Sequence, residues 1–391
     1  MNQRLKFLFT LLIISITFSV NTYAQKNTDQ LEFTLIEGIK VISPDYNIKG
    51  QIWGGEFAYH FNMQNSTMDY VRLLGLNSID IVGSYRYLKS LVITNNPYTN
   101  VIDNNNLYSK GTLGEAYSVL GRIEVQLFKA GPVKLLFTPA FGVTYSTVSY
   151  FTNGNPLIGS RINLAAQAGI KIFSSITPST GIQAGVDLLH YSNSGERLPN
   201  NGINAINISI GLVKNINRSG PSSPKDPFQY NYTNSFEFSG DFGERGLFRT
   251  KQELYRSGLY AGYSYRLNSV FSLRGGVDAG YYFTPFNPAN YNGTFENYGT
   301  SYARWRVGLS VGGEVRLGRL AVFCNYGYYV YYRTFYQAAT DTSRELNYRV
   351  KTYLTPGLKY HINSWMAVMV KEYVNKQSAD YLGLGVMFRV D

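Results

Sequence analysis

Apolar and polar residues alternate with a period of two through much of this chain. Beyond its first residues, no apolar run approaches the length of a membrane-crossing helix. In RWRVGLSVGGEVRL, Trp305, Val307, Leu309, Val311 and Val315 share one side of a strand, against Arg306, Ser310, Glu314 and Arg316 on the other. In VFSLRGGVDAGYYF, Phe271, Leu273, Val277 and Ala279 oppose Ser272, Arg274 and Asp278. In VKLLFTPAFGVTYS, Leu135, Phe137, Pro139, Phe141, Val143 and Tyr145 oppose Lys134, Thr138, Gly142, Thr144 and Ser146. A soluble sandwich buries its apolar face and wets the other. Here the polar faces carry Gly, Arg, Asp and Glu, as the interior of a membrane barrel does. The 34 Tyr, 23 Phe and 38 Gly suit such a barrel. The expected fold class is all-β, a transmembrane antiparallel β-barrel.

Strand-like segments recur about every 20 residues, the period of a barrel strand plus its loop. About sixteen can be counted, roughly eight on each side of NRSGPSSPKDPFQ, residues 217–229. That stretch is rich in Pro, Ser and Gly and reads as a linker or a long periplasmic turn. One barrel of about 14 to 16 strands is the expectation, with two tandem barrels of about eight strands as the alternative. The halves have the look of a weak duplication. VKEYVNKQSADYLGLGVMF echoes LLHYSNSGERLPNNGINAINISIGL, with Glu372 and Val374 where His190 and Ser192 stand.

The start, MNQRLK followed by the apolar run Phe7–Val20 and NTYA, reads as a signal peptide cleaved after Ala24. The expected division is a signal peptide over 1–24, a site-bearing barrel half over 25–216, the linker over 217–229, and a second half without a site motif over 230–391. Export to a bacterial outer membrane follows. Cys324 is the only cysteine, so no intrachain disulfide forms. The formal net charge of +11 suits an anionic partner such as a phosphorylated glycolipid. Nucleic acid is excluded by the compartment and by the lack of any nucleic-acid motif.

One stretch has chemistry that a barrel wall does not need. The chain has three histidines, and one of them stands two residues before a serine in GIQAGVDLLHYSN. Strand parity puts Ile182, Ala184, Val186, Leu188, His190 and Ser192 on the apolar, lipid-facing side. In the next strand, NAINISIGL, the same side holds Asn204, Ile206, Ile208, Ile210 and Leu212. His190, Ser192 and Asn204 thus share the outer surface at matching strand ends, joined by loop 193–203. The bland alternative is that polar groups merely cap the apolar band at the membrane boundary. The chemical alternative is acyl transfer, in which an imidazole takes the serine proton and a third group holds the imidazole. If the chain starts in the periplasm, the seventh strand ascends and loop 193–203 faces the exterior.

The hairpin HYSNSGERLPNNGIN resembles that of the lipid A 3-O-deacylases, outer-membrane barrel esterases grouped with acyloxyacyl hydrolases. Their hairpin reads His-Tyr-Ser-Asn-x-Gly, then Pro-Asn-x-Gly-Ile, then an acidic residue. The resemblance is close over this hairpin and loose over 115–216, and it finds no motif from 218 onward. It implies Ser192 as nucleophile and His190 as general base, with Asn193 and Asn200 as oxyanion or site support. The acidic third member falls on Asn204, a departure. An asparagine can orient a histidine but supplies no charge to an imidazolium. Glu196, in the loop, is a substitute acid that reads better as a solvated charge.

The implied substrate is lipid A or lipopolysaccharide in outer-membrane lipid, cleaved at an ester-linked acyl chain. Ala166, Ala168 and Ala184 are the candidates for a furrow that takes this chain. Arg161 and Arg197 are candidate donors to its phosphates. His60 and His361 read as barrel or interface histidines. No His/Cys/Asp/Glu cluster has ligand spacing, so no metal and no cofactor is expected. Two other readings use the same residues. One is a pore or structural barrel lined by Arg274, Asp278, Arg306 and Glu314. The other is a phospholipase or acyltransferase working through the same serine.

Overall fold

A computed structural model describes residues 29–43, 46–64, 66–93, 112–216, 233–246, 251, 253–284, 304–331, 351–375 and 378–391. The expected signal peptide and the 217–229 linker lie outside the described residues. The chain forms two compact units. The first holds residues up to 193 and from 201 to 227, and the second holds Ser194–Asn200 and the chain from Phe228.

The first barrel is built from β1 (Asp29–Ile42), β2 (Ile52–Asn62), β3 (Leu76–Tyr87), β4 (Glu115–Ala130), β5 (Val133–Phe137), β6 (Ala140–Ser146), β7 (Ile162–Thr177), β8 (Thr180–Ser192) and β9 (Ile203–Ile216). Strands β5 and β6 both pair with β4 on one side and β7 on the other, so they act as one interrupted strand. Strand β9 returns to β1, from Asp29 opposite Ile216 to Ile42 opposite Asn204. Eight positions therefore close the ring.

The second barrel is a closed ring of β10 (Ser235–Gly246), β11 (Glu253–Arg266), β12 (Phe271–Tyr282), β13 (Trp305–Leu317), β14 (Leu320–Tyr331), β15 (Thr352–His361), β16 (Met366–Asn375) and β17 (Ser378–Val390). The fold is thus tandem eight-stranded barrels and not the single wider barrel first expected. Alternation reveals how many strands there are, but not which strand the last one rejoins.

The first barrel shows its sidedness in its connections. β4–β5 and β7–β8 turn over 131–132 and 178–179, with the helical connection 63–75 at the same end, whereas 147–161 and 193–202 lie at the other. Short turns face the periplasm and long loops the exterior in such barrels. Loop 193–202 is therefore at the extracellular end, and β8 is the seventh crossing.

The faces follow parity. Phe33, Leu35, Phe57, Ile172, Leu188, Ile210 and Leu212 are exposed on the first barrel, and Phe236, Phe242, Leu273, Leu309 and Val311 on the second. Such a surface is stable only against hydrocarbon. The interiors are charged and filled. In the first barrel, Arg122 Nε contacts Asp80 at 2.7 Å and Arg122 also pairs with Glu32. Arg86 reaches Glu56 at 2.7 Å, and Lys171 reaches Glu32 at 3.0 Å. In the second, Arg274 contacts Glu237 at 2.8 Å and Lys371 contacts Asp241 at 2.8 Å. Arg274, Asp278, Arg306 and Glu314, the residues that suggested a pore, are buried here. An eight-stranded ring has room for side chains and little else.

Replacing Arg122 with methionine strips the partner from Glu32 and Asp80 inside the barrel. The expected loss is about 3–5 kcal/mol of folding free energy, the usual result of leaving buried charge unpaired. Urea titration of the folded species by heat-modifiable gel mobility measures it. A loss under about 1 kcal/mol would mean that the network is not structural.

Candidate active site

The three polar residues of the hairpin come from two neighbouring strands whose register is set by the β8–β9 ladder. His190 lies opposite Asn204, and Leu188 opposite Ile206. On its other side His190 lies opposite Ala166, and Ser192 opposite Leu164. His190 is exposed on the outward face with Leu188 and Val186, while Leu189 and Tyr191 point inward and are buried. Ser192 is half-buried at the strand end, two residues on and on the same face.

His190 Nδ1 and Asn204 Oδ1 are 2.7 Å apart. A carboxamide oxygen has no proton to give, so Nδ1 carries it and donates. The neutral ring then presents Nε2 as an acceptor, the tautomer that a serine base requires. Asn204 thus offers its oxygen and not its amide nitrogen to the ring.

The loop backs the ring. Gly202 has a left-handed φ of +73°. A Cβ built on it would fall 2.9 Å from His190 Cε1 and 3.0 Å from the Tyr191 carbonyl oxygen. The Gly202 N–H donates to Leu157 O at 2.9 Å, and the Asn201 N–H to Pro156 O at 3.2 Å. Leu157 is fully buried, and its own N–H donates to Asn155 Oδ1 at 2.9 Å. The β6–β7 loop is therefore a shelf for the end of the site hairpin. None of this was visible in the motif, where Gly202 is one letter among matched positions. A glycine just before a strand carrying a site residue was the only available signal.

The remaining candidates separate. Asn193 is buried, and its Nδ2 donates to Ser160 Oγ at 3.1 Å, so the side chain ties the hairpin to the preceding loop. Asn200, Glu196 and Arg197 lie in the segment that groups with the second unit. There Arg197 pairs with Glu253, and its Nη1 donates to Lys251 O at 2.6 Å, so its charge is already engaged. Burial pushes the Glu196 carboxyl above its ordinary range, with Arg197 pulling it back down. Arg161 is exposed at the outer end of β7.

Ala166 and Ala168 lie on the outward face beside the histidine, with Ala166 between Phe141 and His190, and Ala168 opposite Leu188. Ala184 faces outward too, but opposite Ile172 and Ile210. It sits six residues from His190 along β8, about 20 Å. Of the three candidate furrow residues, only Ala166 and Ala168 therefore stand beside the histidine, and Ala184 is not continuous with them.

His60 and His361 lie inside the barrels. His60 sits between Glu32 at 2.9 Å and Asp80 at 3.0 Å. Sequence spacing showed no metal-type cluster, yet the fold gathers Glu32, His60 and Glu124 closely enough to be one. Arg122, Lys171 and Asp80 supply these groups with ion-pair partners, so a charge network accounts for them. His361 is buried near Arg316.

The fold and its hydrocarbon-facing surface define the class, an outer-membrane β-barrel. Residues 86–213 match the family model described as lipid A 3-O-deacylase (PagL), and residues 231–391 that described as acyloxyacyl hydrolase, C-terminal domain. The chain belongs to this deacylase and acyloxyacyl hydrolase family. The second match covers the half that lacks the hairpin motif. No curated protein matches the chain in sequence. Among solved structures, the outer membrane enzyme PagL is 14% identical, with 46% of this chain and 97% of that one covered at a TM-score of 0.31. Neisserial surface protein A (NspA) is 10% identical, with 48% and 96% covered at a TM-score of 0.29.

Ala166→Phe is expected to cut release of long acyl chains from lipid A by about tenfold or more, by filling the space beside His190. Ala184→Phe is expected to leave it unchanged. Fatty-acid analysis of treated lipid A checks both, and equal effects at the two positions would remove the furrow.

Proposed function

We propose that this protein is an outer-membrane hydrolase that removes an ester-linked acyl chain from lipid A, using Ser192, His190 and Asn204. The observation that carries the reading is the Nδ1–Oδ1 contact of 2.7 Å on the lipid-facing wall, two residues before the serine. A site on this surface meets acyl chains without extracting them from the bilayer. The family match to lipid A 3-O-deacylases supports the substrate class.

In the proposed reaction Ser192 Oγ attacks the ester carbonyl while His190 Nε2 takes its proton. The tetrahedral oxyanion collapses, the C–O bond to the sugar hydroxyl breaks, and His190 returns the proton to that oxygen. Water, deprotonated by His190, then attacks the acyl-serine. The fatty acid leaves and Ser192 recovers its proton. Asn204 holds the ring in the reactive tautomer throughout. It gives the imidazolium a dipole where a carboxylate would give a full charge. Asn193 supports the hairpin through Ser160, and an oxyanion-donor role for Asn200 rests on the resemblance alone. The exterior end of the barrel is the lipopolysaccharide leaflet, where Arg161 is available to a substrate phosphate. Export by a cleaved signal peptide over residues 1–24 belongs to the same reading.

Mass spectrometry of lipid A from cells making the protein tests this. Wild type is expected to remove one acyl chain, and Ser192→Ala none. Asn204→Ala should lower the rate by about 10²-fold or more, since the tautomer is no longer fixed. Asn204→Asp should match or exceed wild type. A folded wild type that leaves lipid A intact would contradict the proposal. Release of fatty acid from phospholipid, or transfer to an acceptor, would redirect it to the phospholipase or acyltransferase reading. The filled interiors disfavour a pore.

A further inference from the structure

We propose that Gly202 is the positioning residue that sets the imidazole of His190, through the absence of a side chain and not only through its backbone freedom. This inference rests on the assignment of His190 as the base.

Two constraints fix a ring on an exposed strand face. Here the first is the bond from Nδ1 to Asn204, which pins one edge at 2.7 Å. A single hydrogen bond leaves the ring free to tilt about it. The second is the close approach of the loop at Cε1, the carbon between the two nitrogens: a Cβ built on residue 202 would come to 2.9 Å from it. Real Cβ atoms do not approach so closely, so any side chain at 202 displaces the ring or the loop. Cε1 also adjoins Nε2. Displacement at this point moves the accepting nitrogen while the Asn204 bond can persist.

The backing is firm because the loop cannot simply retreat. Gly202 and Asn201 are hydrogen-bonded to the carbonyls of Leu157 and Pro156. Leu157 is buried in the first barrel's apolar cluster with Ile158, Tyr191 and Ile203. The imidazole therefore lies between its asparagine and a loop backbone anchored in the barrel end, with room for the ring only because residue 202 has no side chain. The substrate side of the ring stays open to lipid, since the contact lies on the loop side.

Two substitutions separate crowding from backbone strain. Alanine adds the Cβ and also dislikes a positive φ. Asparagine adds the same Cβ but tolerates the left-handed region. Both Gly202→Ala and Gly202→Asn are expected to lower kcat by about 10²-fold with little change in KM, as a small misplacement of a reacting group does. Recovery of kcat in Gly202→Asn would overturn the proposal in favour of backbone strain. Unchanged kcat in both would overturn it outright.

A readout independent of turnover comes from NMR of the full-length protein in detergent micelles, labelled with ¹⁵N-histidine. Three histidines give an assignable spectrum, with His190→Ala as the reference. Wild type should show a nuclear Overhauser contact from Gly202 Hα to His190 Hε1. Both variants should shift the His190 ring signals and spare those of His60 and His361. Absence of that contact in wild type overturns the positioning role, even if a variant fails to fold. A wild type that shows the contact but releases no fatty acid leaves the geometry standing and contradicts the proposed activity.

Discussion

Hydrocarbon offers no hydrogen bonds, so every backbone N–H and C=O that crosses it must find a partner within the protein. A sheet meets that demand only by closing. Each unit does so with eight strands, β9 returning to β1 and β17 to β10. Closure then dictates the rest. Alternate side chains point to lipid or to a narrow interior, with no third environment available. The interior is too tight for water-filled space, so its Arg, Lys, Glu and Asp side chains neutralise one another. The exterior tolerates polar groups only near the membrane boundary, and His190, Ser192 and Asn204 lie at strand ends there.

This placement explains why parity alone carried so much of the site. A period of two leaves a residue one of two sides. Alternation therefore puts His190, Ser192 and Asn204 on the lipid face, and the hairpin makes His190 and Asn204 neighbours. Interior residues such as Arg306 and Glu314 were legible in the same way. Barrel number was not. The closing partner of Ile216 is Asp29, far away in sequence, and nothing in either strand's alternation names the other. The ion-pair network was hidden for the same reason, with Arg122 and Glu32 on strands that are not neighbours. Ala184 had the right face but the wrong height. Parity reports sides, while height along the barrel comes from register with Ile172 and Ile210.

The asparagine in place of an acid divides the usual third-member role into two parts. Fixing the tautomer needs only an acceptor at Nδ1, and Asn204 Oδ1 provides one. Stabilising the imidazolium needs charge, which the amide lacks. At the edge of a low-dielectric membrane, an unpaired carboxylate on the outer wall would itself be costly to hold. In the proposed site a neutral third member would avoid that cost and give up some rate. Under the proposal, ring placement would then depend more on packing, and the close approach of Gly202 would matter more here than beside a carboxylate.

The central claim is that Ser192 is a nucleophile activated by His190. It can be tested without knowing which ester is cleaved. The folded protein is treated with a fluorophosphonate carrying an alkyl chain, and the adduct is mapped by peptide mass spectrometry. A single adduct on Ser192, lost in His190→Ala while the barrel stays folded, is the predicted result. No adduct in wild type, or one on a different serine, would contradict the account.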